Sequence, residues 1–167
     1  MLYLQIVPGG DLVWMMFSHT LAPVVDETGM SLFDWKPDYS VGNTEIDQQH
    51  KQLFRMAGEL HDAMMSGHGA DAVEQLLDKL LSYTCYHFAS EERLMKESGY
   101  PGLPQHHNDH AKLTSQVVEF QAKVKARKAM VTIDMMQFLR EWLVHHIGSA
   151  DAKVGAHLKS RLASSIR

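Results

Sequence analysis

Imidazoles and carboxylates recur in this chain at spacings that suit metal chemistry. His87 and Glu91 are four residues apart, as are His106 and His110. Residues four apart share one face of an α-helix, so each pair can reach one ion or two adjacent ones. His50 and His146 stand singly, and Asp151 follows His146 by five positions. Eleven histidines against five tyrosines make imidazole the over-represented group. Imidazole suits iron, copper and zinc, while carboxylates are hard oxygen donors able to bridge two ions. Zinc is the weaker match, because no His-Glu-x-x-His occurs and seven donors exceed what one tetrahedral ion needs. No Glu is followed by His at the third position either, so the Glu-x-x-His pairs of carboxylate-rich di-iron bundles are missing.

The elements that carry these residues read as helices. From Thr44 onward, apolar residues recur at three- and four-residue spacing, with no strand-like alternation between them. The first stripe carries Ile46, His50, Leu53, Ala57, Leu60 and Met64, opens after the capping residue Asn43 and closes at Gly67-His68-Gly69. A second carries Leu76, Leu80, Tyr83, His87, Glu91 and Leu94 and stops at Gly99-Tyr100-Pro101-Gly102. The third, with Pro104 in its first turn, carries His106, His110, Leu113, Val117, Phe120 and Val124. The fourth, from about Ile133, carries Met135, Leu139, Trp142 and His146 and meets Gly148. Short connections force neighbours antiparallel, which predicts an all-α fold, an up-down-up-down four-helix bundle over residues 31–151.

Five imidazoles and a glutamate therefore fall where apolar side chains belong. An unpaired buried polar group costs about 1 to 3 kcal/mol, and a shared metal centre relieves all of them at once. Asp151 fits less simply, since five residues at about 100° each put it roughly 140° from His146 on a regular helix. Gly148 and Ser149 are accordingly expected to loosen or break the fourth helix and let Asp151 swing back.

His50 within Asp47-Gln48-Gln49-His50, then His87-Phe88-Ala89-Ser90-Glu91, then His106 to His110, then Trp142-Leu143-Val144-His145-His146-Ile147 followed by Asp151, form an ordered set. That set resembles the hemerythrin family, its bacterial single-domain members in particular, from Trp35 to about Asp151. The resemblance implies a bundle enclosing a non-haem di-iron centre that binds dioxygen reversibly. By position, His106, His110 and His146 would hold one iron, His50 and His87 the other, and Glu91 and Asp151 would bridge, leaving an open position on the second iron. Phe88, Trp142, Leu143 and Ile147 are the candidate apolar walls that keep water from it; Leu143 matches a pocket-lining position of the family. His107 and His145 read as surface or outlying groups, and His19, His61, His68 and His157 as ordinary, partly exposed histidines. Tyr83 and the methionines Met56, Met64, Met65, Met95, Met135 and Met136 read as core, and Cys85 should face away from the cluster.

Composition narrows the function further. The 167 residues suit one domain, without room for a separate output domain. Sixteen Lys and Arg against twenty Asp and Glu give a net charge of -4, which argues against nucleic acid as a partner. A single cysteine permits no internal disulfide and fits a reducing, cytoplasmic setting. The first thirty residues lack Lys and Arg, and their apolar runs are far shorter than the roughly 20 residues of a membrane span, so no membrane partner is expected. They read as an accessory strand or hairpin or, the reading their composition favours, as an appendage lying before a true start at Met30. Residues 152–167 read as a basic extension forming a short exposed helix. The leading expectation is an oxygen-binding protein, not an enzyme, for storage, delivery or buffering, with an oxygen-consuming or signalling protein as its conceivable partner. The alternatives are a di-iron oxygen or redox sensor, and peroxide or nitric oxide handling.

Overall fold

The structure is a computed structural model that describes residues 2–6, 12–16, 33–127 and 130–165. Strands β1 (Leu2–Ile6) and β2 (Leu12–Met16) pair antiparallel, Leu2 opposite Met16 and Ile6 opposite Leu12. His19 and Met30 lie outside the described residues.

Four long helices follow: α1 (Thr44–Met65), α2 (Ala70–Ser98), α3 (Leu103–Lys125) and α4 (Ile133–His145). Their ends obey local chemistry. The Asn43 side chain accepts a hydrogen bond from Ile46 N–H at 3.1 Å, satisfying one of the free amides of the first turn. Gly99 ends α2 with φ of 65°, a left-handed conformation that favours glycine. Pro104 occupies the first turn of α3, where a missing N–H removes no helical bond. Thr132 caps α4 through Met135 N–H.

The bundle is antiparallel, so the four ligand-bearing stretches fall early in α1, late in α2, early in α3 and late in α4: one end of the molecule. The other end is hydrocarbon, with Leu60, Leu77 and Met136 fully buried beside Val124. In α2 the buried line runs through Val73, Leu77, Leu80 and Leu81, one position off the expected Leu76, which is only half-buried. Met95, Met135 and Met136 are core, whereas Met65, expected there, is 43% exposed where α1 runs out of neighbours.

Before α1, an arm closes the ligand end. A 3₁₀ turn at Pro37–Tyr39 brings Tyr39 flat against Phe54, ring centroids 5.2 Å apart, with Trp35 edge-on to both. Asp47 ties the arm down, accepting from Ser40 Oγ at 2.6 Å and Val41 N–H at 2.8 Å.

Helix α4 does not break at Gly148. It widens into one π-helical turn, His146–Asp151, in which Ala152 N–H reaches back to Ile147 O. A five-residue hydrogen-bonded turn stacks residues five apart, so His146 and Asp151 regain a common face. The chain then runs on as α5 (Ala152–Ser165). This helix is exposed along 159–164 but buries one side of its start: Val154 is 2% exposed, and a Cβ on Gly155 would lie 2.2 Å from Val41 O, so glycine is required where α5 crosses the arm.

Candidate metal centre

All seven predicted donors are buried and converge. Glu91, His106, His110, His146 and Asp151 present ligand atoms within 4.8 Å of one another, and so do His50, His87, Glu91 and Asp151. The two groups share Glu91 and Asp151.

In the first group the Nε2 atoms of His106, His110 and His146 form a triangle with sides of 3.0, 3.0 and 3.2 Å. Nitrogens at about 2.1 Å from one octahedral ion stand about 3.0 Å apart, so the triangle matches three neighbouring ligand positions. Asp151 lies between the groups: Oδ1 is 3.2 Å from His106 Nε2 and 3.1 Å from His146 Nε2, while Oδ2 is 3.3 Å from His50 Nε2. Glu91 Oε2 is 3.2 Å from His106, 3.4 Å from His110 and 4.0 Å from His87.

Protein groups alone do not satisfy this cluster. Both ring nitrogens of His50, Oε1 of Glu91 and both oxygens of Asp151 are buried without a hydrogen bond. Such orphans are rare in folded proteins, and inward-facing nitrogen and oxygen donors without partners are what a metal pair would use.

Charges inside the cluster are correspondingly displaced. Burial pushes His87 down to about 4, with Glu91 only partly offsetting it. Burial also lowers His106, but the carboxylates of Asp151 and Glu91 outweigh it and raise that imidazole to about 9. Burial and Asp151 push Glu91 up, yet His106 and His110 hold it below the ordinary carboxylate range. Asp151 likewise resists its own burial through His106, His146 and His50.

Of the four side chains expected as walls, Phe88, Leu143 and Ile147 belong to the buried core and Trp142 packs against it. Phe88 stacks flat on His110 at 3.7 Å and 6°, and Trp142 on His146 at 4.4 Å and 14°, so both rings back the three-histidine group. Leu143 and Ile147 are buried, and Leu143 lines an apolar cavity of about 20 Å³ with Leu53, Leu113 and Leu139. On the two-histidine side, Trp35 lies 6.3 Å from His50, a neighbour the sequence did not single out.

Two outer partners were also missed. Gln49 Oε1 accepts from His87 Nδ1 at 3.0 Å, and Glu92 Oε1 from His110 Nδ1 at 2.9 Å. Metal-bound histidine regularly donates its outer N–H to such an acceptor, a rule that pointed to partners without naming them.

The remaining histidines divide. His107 and His145 are exposed, His107 donating to Glu92 Oε2 at 2.9 Å. His68 is exposed, and His157 pairs with Ser98 O at 3.0 Å. His61 is not partly exposed as expected but 5% exposed, packed beside Phe33 where the arm covers α1. Cys85 is exposed, away from the cluster.

An antiparallel four-helix bundle with two overlapping sets of buried imidazoles and carboxylates is a metal-binding bundle, with donors drawn inward from every helix. The family description "Hemerythrin HHE cation binding domain" matches residues 41–158. Bacteriohemerythrin of Methylococcus capsulatus is 35% identical over 132 residues, covering 78% of this chain and 100% of that protein. Bacteriohemerythrin of Stenotrophomonas maltophilia is 34% identical, covering 80% and 86%, and myohemerythrin of Riftia pachyptila 32%, covering 77% and 95%. A crystal structure of wild-type hemerythrin superposes with a TM-score of 0.72 at 34% identity, over 75% of this chain and 96% of that one. The chain belongs to the hemerythrin family. Among the described residues no helix is long and apolar enough to cross a membrane.

Proposed function

We propose that this chain holds two iron ions and binds dioxygen reversibly, for storage, delivery or buffering. One observation carries the reading: the two oxygens of Asp151 face different histidine groups, Oδ1 toward His106 and His146 and Oδ2 toward His50. A carboxylate so divided, with Glu91 common to both groups, suits two adjacent ions better than one.

His106, His110 and His146 would hold one ion and His50 and His87 the other. With one imidazole fewer, the second half of the cluster is where an outside ligand finds room. The ion pair, when bound, supplies the electron transfer on which reversible oxygen uptake depends. The chain's own side chains do the rest. Phe88 and Trp142 fix the imidazoles of His110 and His146 by stacking, while Leu143 and Ile147 present hydrocarbon that keeps water and external anions out.

Iron content and an optical titration test the reading together. The protein should carry about two irons per chain, and the reduced form should gain an absorption band in air that disappears on deoxygenation. Two bound irons without a reversible band would reject oxygen carriage while leaving the metal pair intact.

A further inference from the structure

The outer nitrogens of the imidazoles are treated differently in the two halves of the cluster. In the three-histidine half, a carboxylate receives the proton directly, His110 Nδ1 donating to Glu92 Oε1 at 2.9 Å. The other oxygen of Glu92 is braced by exposed His107 at 2.9 Å. In the two-histidine half the acceptor is a neutral amide, Gln49 Oε1, 3.0 Å from His87 Nδ1. The Gln49 NH₂ points to Glu45 at 3.4 Å, which fixes the amide's orientation. Glu45, the carboxylate that Gln49 reaches, is therefore one hydrogen bond further from His87 Nδ1, and it shares its charge with Arg93 at 3.6 Å. His50 Nδ1 is buried with no hydrogen bond at all.

An acceptor on the outer nitrogen fixes the tautomer and leaves the lone pair of Nε2 facing inward; a carboxylate acceptor also raises the basicity of that inner nitrogen, which an amide does far less. Orientation alone does not account for Glu92, because Phe88 already holds the His110 ring flat from one side. What Glu92 adds is charge. We propose that Glu92 and Gln49 are positioning residues that grade the cluster, the Glu92 carboxylate making the three-histidine half the tighter metal site and the Gln49 amide leaving the two-histidine half the looser one. This rests on the metal-pair reading and extends it to why the two halves differ beyond their number of ligands.

The test titrates metal-free protein with cobalt(II) under exclusion of air. Absorption of the bound ion gives the stepwise affinities, and the paramagnetically shifted imidazole N–H protons show which half each ion occupies. Wild-type protein should take two ions, the three-histidine half filling first. Glu92→Ala should weaken that first step by about 10- to 100-fold. Glu92→Gln, which keeps the shape and an acceptor but not the charge, should reproduce part of that loss. Gln49→Glu should tighten the second step and narrow the gap between the two. Melting curves of the metal-free variants, unchanged for the isosteric Glu92→Gln, separate this effect from a loss of fold. A Glu92→Gln protein with both steps as in wild type overturns the charge grading, as does a Glu92→Ala change that weakens both steps equally. Wild-type protein that holds fewer than two ions overturns the metal-pair reading and this inference with it.

Discussion

The two ends of the bundle are built from the same four helices by opposite means. At one end Leu60, Leu77, Met136 and Val124 meet as hydrocarbon, and water exclusion alone holds them together. At the other, five imidazoles and two carboxylates are buried in contact, His50 and Asp151 with no hydrogen bond. Burying such groups opposes folding. The difference teaches that the apolar end and the arm stabilise an arrangement the ligand end would not adopt by itself, and that bound metal would turn the unsatisfied end into a supported one.

The largest break in this comparison comes from removing a shared donor. Glu91→Ala strips a carboxylate from both groups, so bound iron should fall to less than one per chain by elemental analysis, while the helical circular dichroism persists. The mirror experiment is Leu77→Ala at the apolar end. It should lower stability by about 2 to 5 kcal/mol in denaturant unfolding yet leave iron stoichiometry near two. A Leu77 variant that loses iron as readily as the Glu91 variant would show that the ends are not separable.

pH separates them more finely. In metal-free protein His87, with its folded value lowered from 6.5 to about 4, contributes stability above 6.5 that is lost as pH falls through about 4. His106, raised from 6.5 to about 9, contributes stability below 6.5 that is lost as pH rises through about 9. Metal-free protein should therefore be most stable near pH 6.5, with Glu91 and Asp151, both held below their ordinary range, steepening the loss at still lower pH. Bound metal replaces the proton on His106, so thermal melts of loaded protein should lack the decline between pH 6.5 and 9. Smallest of all is His68→Ala: this histidine is exposed on the connection between α1 and α2 and enters neither the hydrocarbon core nor the ligand cluster, so iron content should not change and stability should move by no more than about 0.5 kcal/mol.

Much of this was legible in the residue order because helical spacing is a strict ruler. It paired His87 with Glu91 and His106 with His110, and the apolar positions Leu139 and Trp142 chose His146 over His145. The caps at Asn43 and Gly99 and the proline in the first turn of α3 followed from backbone chemistry that is local by nature. What stayed hidden depends on a neighbouring helix. Glu92 sits one residue beyond Glu91, a quarter-turn away, and nothing in α2 alone says that His110 of α3 will be opposite. Gln49 is adjacent to His50 but serves His87. His61 and Met65 exchange their expected environments because the arm covers one face of α1 and the helix end leaves the other bare. For Asp151 the arithmetic required the fourth helix to loosen or break, and left open which: it loosens, into a single wide turn.

That wide turn stores one surplus residue inside an otherwise unbroken rod. The faces before and after it keep step, so Leu139 and Leu143 upstream and Val154 and Gly155 downstream all meet their own neighbours. Shortening the segment by one residue at Gly148 would restore uniform winding with histidine and aspartate still aligned. Lengthening it by one leaves an excess no single loop of helix absorbs, and would rotate α5 off the Val41 backbone. Tolerance to insertions and deletions here is thus lopsided, a signature that a scan of single-residue length variants across 147–150 would display.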